Sequence, residues 1–144
     1  MKYLVSLLVM LAIGNLYSQE KKDEPKKEVK KESGVVLDAL SEVNAARAKR
    51  GLRPYINDPV LNKAALACAR YRAERLMAGH CDTPRGDFSF LPEGYDTNGV
   101  VGGCAGLTPD WGFQACAMYD NYKYCGAASV MGRDGKRYCH LFCK

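Results

Sequence analysis

The cysteines constrain this chain more than any other feature of its sequence. All seven lie between residues 68 and 143, at Cys68, Cys81, Cys104, Cys116, Cys125, Cys139 and Cys143. In an exported domain this density indicates a disulfide framework, because the compartment is oxidising. Seven is an odd number, so at least one thiol is buried and free, joined to another chain, or reactive.

The N-terminus predicts export. Lys2 precedes an apolar run from Tyr3 to Ile13, after which small and polar residues follow. This is the layout of a secretory signal peptide, and the run is shorter than the roughly 20 apolar residues that cross a membrane. We therefore predict a signal peptide over residues 1–18, with a retained anchor as the alternative. The predicted location is extracellular or in the cell envelope, for example the periplasm.

Residues 19–34 are predicted to form a disordered linker. The stretch 21–33 contains six lysines, four acidic residues and a single large apolar residue, Val29, so it can bury very little surface. Its lysines would give a weak attraction to anionic surfaces, and a plain solvated spacer is the alternative. No aromatic residue offers a platform for base stacking, so we expect no specific nucleic-acid partner.

Residues 35–144 are enough for one domain that begins with two helices. Apolar residues at helical spacing predict the first helix over residues 35–50. Asp58 and Pro59 predict the N-cap and first position of the second helix, which should continue to about Ala78. The apolar face expected for the second helix comprises Leu61, Ala65, Cys68, Ala69 and Leu76.

The chain from Gly79 to Pro109 predicts a long irregular segment. It contains seven glycines and three prolines without a sustained helical or strand period. Loops of this length are uncommon unless they build a site or are cross-linked. A short third helix is expected over residues 111–119.

The C-terminus predicts a β-hairpin around Asp134 and Gly135. Its strands are expected over residues 126–131 and 137–143. Alternation along the second strand places Tyr138, His140 and Phe142 on one face, and Arg137, Cys139, Leu141 and Cys143 on the other.

The hairpin register predicts a Cys125–Cys143 disulfide, because Cys125 falls opposite Cys143 or Lys144. We also predict a Cys104–Cys116 disulfide between the long segment and the third helix, and Cys68 as a buried free thiol. Zinc is the rival use of cysteine, through the cluster Cys139, His140 and Cys143. The absence of any Cys-x-x-Cys pair argues against it.

Three elements between Leu40 and His80 carry a family resemblance. They are Val-Asn-x-x-Arg at residues 43–47, Gly-Leu-Arg-Pro followed by Asp-Pro-x-Leu at residues 51–61, and an alanine-rich helix that leads to His80. In these elements the chain resembles the CAP (SCP-domain) family of cysteine-rich secretory, venom-antigen and plant pathogenesis-related proteins. It looks like a short, divergent, bacterial-type member.

The resemblance implies an α+β fold, a CAP-like α-β-α sandwich with a small antiparallel sheet and a central cavity. Family members often line this cavity with two histidines and two acids that can hold a divalent metal. His80 matches the first histidine, whereas Ala117 stands in place of the second and Gly102 to Ala105 replace an acid-bearing motif. The chain therefore lacks most of the metal tetrad, and we expect no cofactor, with a divalent metal as the minor alternative.

Two functions from different classes follow. The first is a secreted, non-catalytic binding module for a lipid, a glycan or a protein partner. Its cavity would be lined by His80, Trp111, Tyr119, Tyr138 and His140. The alternative is a metal-dependent hydrolase with an atypical site around His80, completed by His140 and acids of the irregular segment. A third possibility is a structural envelope component held by the basic linker. The sequence has no nucleophile elbow, phosphate loop or HExxH motif, so it indicates no catalytic residue.

Overall fold

The computed structural model describes residues 36–37, 39–105 and 115–144, and the side chains of residues 39–103 and 117–144. It is a mixed α/β fold with two α-helices and a small mixed sheet. The helices are α1 (Ala39–Ala48) and α2 (Pro59–Arg75). The strands are β1 (Val36–Leu37), β2 (Ile56–Asn57), β3 (Val101–Ala105), β4 (Tyr124–Met131) and β5 (Arg137–Cys143). Two short 3₁₀ helices cover Gly86–Phe90 and Ala115–Met118.

The sheet has the strand order β1-β4-β5-β3, and all pairs along this path are antiparallel. The short strand β2 pairs in parallel with the start of β4. Strands β4 and β5 form the predicted hairpin, and their turn places Gly135 at φ 76°, a conformation that glycine adopts readily.

Each face of the sheet packs against one helix. On one face α1 buries Ala39 and Val43 against the side of β4 and β5 that carries Cys139 and Leu141. On the other face α2 packs on the side that carries Tyr138 and Phe142, using Leu61, Ala64, Ala65, Ala69 and Ala73. The alternation predicted for the last strand is therefore confirmed, and both faces of β5 are buried.

The start of α2 follows the predicted capping pattern. The carboxylate of Asp58 accepts hydrogen bonds from the backbone N–H groups of Val60 (2.8 Å) and Leu61 (3.0 Å), and Pro59 occupies the first turn. A cap of this kind satisfies N–H groups that have no partner within the helix.

Glycine allows α2 to lie directly on β4. A Cβ atom at Gly126 would stand 2.0 Å from the backbone nitrogen of Asn62 and 2.0 Å from the carbonyl carbon of Leu61. No side chain fits at that separation, so the absence of one at Gly126 sets the distance between helix and sheet.

Helix boundaries differ from the expectation at several points. Helix α1 begins at Ala39 because Val36 and Leu37 pair with β4 as strand β1. Helix α2 ends at Arg75, and Leu76 takes the left-handed conformation with φ 56°. The described part of the expected third helix is the single 3₁₀ turn Ala115–Met118.

The hairpin places Cys125 directly opposite Cys143, with their Sγ atoms 3.8 Å apart. This is the register on which the predicted disulfide depends, and a bond between the two sulfurs stays a prediction. The Cys104–Cys116 disulfide involves side chains outside those that the structure describes, as do the signal peptide and the linker. Within the described ranges, no helix is long and apolar enough to cross a membrane.

Candidate functional site

Both histidines of the chain meet on one carboxylate. His80 Nδ1 contacts Asp87 Oδ2, and His140 Nε2 lies 3.7 Å from the same oxygen. The chain contains no other histidine, so its whole complement of imidazoles converges on Asp87. This convergence singles out one acid of the irregular segment, which the sequence did not distinguish from Glu93 and Asp96.

Three elements deliver these side chains to the α2 face of the sheet. His80 lies shortly after the end of α2, Asp87 lies in the 3₁₀ helix Gly86–Phe90, and His140 lies in the middle of β5. The backbone N–H of Cys81 donates to Asp87 Oδ1 at 2.8 Å, which fixes the carboxylate toward the interior. Asp87 and His140 are buried, whereas the His80 side chain is 61% exposed. The group therefore runs from the surface into the core.

Two thiols lie beside this group. Cys68, on the inner face of α2, has its Sγ 3.5 Å from Asp87 Oδ1. Cys81 lies next to His80 in the chain, and its Sγ lies 3.9 Å from the Cys68 carbonyl oxygen. Both cysteines are buried. Cys68 was predicted to be a buried free thiol, and the structure places it in contact with a second cysteine and a carboxylate.

A buried arginine connects the two segments that carry the histidines. The Arg72 guanidinium donates to the carbonyl of Gly79 at 2.7 Å, immediately before His80, and to the carbonyl of Cys139 at 2.5 Å, immediately before His140. It also donates to the carbonyl of Ala78 at 3.0 Å. Arg72 is thus a positioning residue for both imidazoles. Arg72 was not among the residues predicted for the site, although it follows Cys68 by four residues and therefore lies on the inner face of α2.

His140 is an unpartnered polar side chain in the core. It is fully buried, and neither ring nitrogen has a hydrogen-bond partner among the described residues. Burial lowers the pKa of His140 to about 3, against the opposing attraction of Asp87, so the ring is neutral at neutral pH. A buried polar group without a partner costs about 1–3 kcal/mol, which is uncommon without a functional reason.

Asp87 is ionised at neutral pH. Burial acts to raise its pKa, but attraction to His140 and hydrogen bonds from the Cys81 amide and His80 outweigh that effect and lower it. Burial raises the pKa of Cys68, and the Cys81 thiol and Asp87 add to the shift, so its thiol is protonated in the metal-free protein. The cluster thus presents a carboxylate, a neutral imidazole and a thiol that a bound cation could deprotonate.

The spacing of these groups suits a metal ion. Ligand atoms of Cys68, Asp87 and His140 all lie within 4.8 Å of one another. Two atoms bound to one tetrahedral zinc ion at 2.0–2.3 Å lie about 3.3–3.8 Å apart. The distance of 3.5 Å from Cys68 Sγ to Asp87 Oδ1 and that of 3.7 Å from His140 Nε2 to Asp87 Oδ2 both fall in this range, each with a different oxygen of the carboxylate. Imidazole, thiolate and carboxylate together favour zinc over magnesium or calcium.

A depression of about 290 Å³ opens beside the cluster. It is lined by His80, Arg85, Gly86, Asp87, Phe88 and Gly102. A Cβ atom at Gly102 would stand 3.4 Å from Asp87 Oδ2 and 3.1 Å from the Phe142 ring, so the glycine keeps this wall open. A second cavity of about 270 Å³, between α2 and the hairpin turn, contains no histidine or cysteine.

The aromatic residues expected in the cavity lie elsewhere. The Tyr138 hydroxyl donates to Asp134 at 3.0 Å, and the side chain is buried under α2. Tyr119 is exposed, and its backbone carbonyl accepts hydrogen bonds from Arg47 and Tyr55, which pack at the opposite face of the sheet. Neither tyrosine lines the depression. Trp111 lies outside the described residues.

The alternative zinc cluster of Cys139, His140 and Cys143 is not assembled. Cys139 and Cys143 point into the α1 face of the sheet, whereas His140 contacts Phe142 and Asp87 on the α2 face. Alternation along a strand separates them, because neighbouring residues point to opposite faces. Ala117, at the family's second histidine position, also lies on the α1 face.

The fold and the cluster define a mixed α/β domain with a buried His-Asp-Cys group. No family model matches the sequence, and no curated protein matches it. Among solved structures, the chain is similar to an outer surface protein from Borrelia burgdorferi, with 15% sequence identity and a TM-score of 0.52. The match covers 76% of this chain and 96% of that protein, so the two share a fold.

Proposed function

We propose that this chain is an exported binding domain of the cell envelope or extracellular space that holds a divalent transition metal ion. The central ligands are Cys68, Asp87 and His140, whose ligand atoms lie within 4.8 Å of one another, and His80, which contacts Asp87, is the fourth. The observation that carries the proposal is His140, a fully buried imidazole whose nitrogens have no hydrogen-bond partner among the described residues. A cation bound between His140 and Asp87 would satisfy that ring and balance the buried carboxylate.

The location and family relationship are supported by separate observations. The apolar N-terminal run supports export, and the structural neighbour is itself named an outer surface protein. Membership of the CAP family is our proposal for the ancestry of the domain, on the motifs between Leu40 and His80. The ligand set differs from the expected one, because His140 and Cys68 come from positions that the family motif does not supply.

Metal binding is tested by comparing two aspartates on the same segment. Asp87→Asn removes a proposed ligand, whereas Asp82→Asn alters an exposed side chain that accepts a hydrogen bond from Tyr71 at 2.7 Å. Reduced full-length protein is dialysed against Zn²⁺, and bound zinc is measured by mass spectrometry. We expect one zinc per chain for the parent and for Asp82→Asn.

For Asp87→Asn we expect affinity to fall by more than the roughly 10–100-fold that loss of an outer-shell partner costs. Circular dichroism of the metal-free variants checks that both are folded. Equal zinc binding by the two variants, or no stoichiometric zinc in the parent, would refute the proposal.

The depression beside His80 favours a hydrolase as the second candidate. It gives a small substrate access to the exposed edge of the cluster, and Arg85 at its rim could attract an anionic group. A bound ion would supply Lewis acidity there. Ester and peptide substrates offered to the zinc-loaded protein separate the candidates. Hydrolysis that is lost in Asp87→Asn supports an enzyme, whereas stoichiometric zinc without hydrolysis supports a binding domain.

A further inference from the structure

The two cysteines beside the cluster are in contact with each other. Cys68 lies on α2, and Cys81 lies in the segment that carries His80. The Cys81 Sγ is 3.9 Å from the Cys68 carbonyl oxygen, and both cysteines are buried. Asp87 Oδ1 joins the pair, because it contacts the Cys68 thiol and accepts from the Cys81 amide.

We propose that Cys68 and Cys81 form a reversible disulfide in the exported protein, and that this bond withdraws Cys68 from the metal cluster. The withdrawal of Cys68 from the cluster rests on the proposed metal site, whereas the formation of the disulfide does not. The thiolate is the form of cysteine that binds zinc, and a cysteine in a disulfide has no thiolate. The disulfide and a Cys68-ligated metal are therefore mutually exclusive states of one site.

Cys68 and Cys81 are oxidised by thiol–disulfide exchange with a disulfide oxidant, such as a protein disulfide or oxidised glutathione. Cys81 is 5% exposed and Cys68 is 0% exposed, so the oxidant reaches Cys81 first. The Cys81 thiolate attacks the oxidant and forms a mixed disulfide, which releases one thiol. The Cys68 thiol then loses its proton, and its sulfur attacks the Cys81 sulfur and releases the second thiol. Two protons and two electrons leave the protein, and one sulfur–sulfur bond forms.

The state of the pair has a structural consequence for the cluster. The oxidised form links α2 covalently to the segment of His80 and Asp87, while the donor set becomes His80, Asp87 and His140 alone. The reduced form adds Cys68 as a buried thiolate ligand. Zinc affinity should therefore depend on redox conditions, with reduced protein binding at least tenfold more tightly.

The disulfide is tested first without any metal. Full-length protein is purified without reductant, its free thiols are alkylated, and peptides are mapped with and without reduction. We expect a linked pair of peptides that contain Cys68 and Cys81, separated by reductant with the gain of two hydrogen atoms. Alkylation of both cysteines in the protein oxidised by glutathione disulfide would overturn the proposal.

The coupling is tested by zinc titration of oxidised and reduced protein. Cys81→Ser cannot form the bond but retains Cys68, so its zinc affinity should be the same under both conditions. Cys139→Ser removes a buried cysteine on the other face and should retain the redox dependence of the parent. Equal affinities in the parent's two states overturn the coupling, and absence of zinc binding in both states overturns it together with the proposed function. A mapped Cys68–Cys81 bond would stand in either case.

Discussion

The contact between Gly126 and α2 gives a sharp test of the fold. Replacement of Gly126 by alanine puts a methyl group 2.0 Å from backbone atoms of Asn62 and Leu61, about half of an ordinary carbon contact. Neither atom belongs to a side chain that can rotate, so the helix must move away from β4. Overpacking of a core typically costs 1–3 kcal/mol, and a clash with backbone belongs at the upper end, at about 3 kcal/mol.

Urea unfolding followed by circular dichroism measures the loss. A domain of this size has a free energy of unfolding of about 5–15 kcal/mol, so the variant should lose a fifth or more of its stability. Its melting temperature should fall by about 10 °C. The matched control is Gly79→Ala, because no atom lies within 4 Å of the added methyl group and its φ is not positive. If Gly126→Ala is as stable as Gly79→Ala, the described packing of α2 on β4 is wrong.

Three further predictions concern buried groups. Arg72→Leu leaves three carbonyls without their donor and should lower the free energy of unfolding by about 3 kcal/mol or more. Arg70→Leu, on the exposed side of α2, should change it by less than about 0.5 kcal/mol, as measured by chemical unfolding. The free energy of unfolding of the metal-free protein should fall by about 3 kcal/mol between pH 6.5 and about pH 4. The reason is that His140 has a pKa of about 3 in the folded state, so in this range the unfolded chain binds a proton that the folded chain does not. Unfolding curves across that range should show a much smaller loss for His140→Phe, and an unchanged slope would contradict the burial of a neutral ring. With the disulfides Cys68–Cys81, Cys125–Cys143 and Cys104–Cys116 formed, Cys139 is the remaining thiol, so an alkylating reagent should label one cysteine per chain and only after denaturation.

Local patterns in the sequence predicted much of the fold. Asp58 and Pro59 mark the start of α2 because capping depends on neighbouring residues alone. The hairpin and the two faces of β5 follow from a turn signal and from alternation. The bounds of α1 did not follow, because Val36 has an apolar side chain that suits either a helix or an edge strand. Its pairing with Val130, far away in the chain, decides between them.

The sequence identified only some of the residues of the candidate site. His80 and His140 were both named as candidates, yet their separation in sequence gave no reason to bring them together. That depends on the path of the segment after α2, which Arg72 holds through carbonyl contacts that carry no sequence signature. Asp87 was one acid among several in that segment. Its burial, and its contacts with the two imidazoles and Cys68, arise only in three dimensions.

The most direct test of the metal site is the absorption spectrum of the reduced protein titrated with Co²⁺, which reports ligand type and geometry together. We predict saturation at one equivalent, with the intense visible bands of a tetrahedral ion and a near-ultraviolet thiolate charge-transfer band. Both should be lost in His140→Phe, and the charge-transfer band should be lost in Cys68→Ser. A spectrum that stays that of hydrated Co²⁺, or one that is unchanged in His140→Phe, would contradict the account.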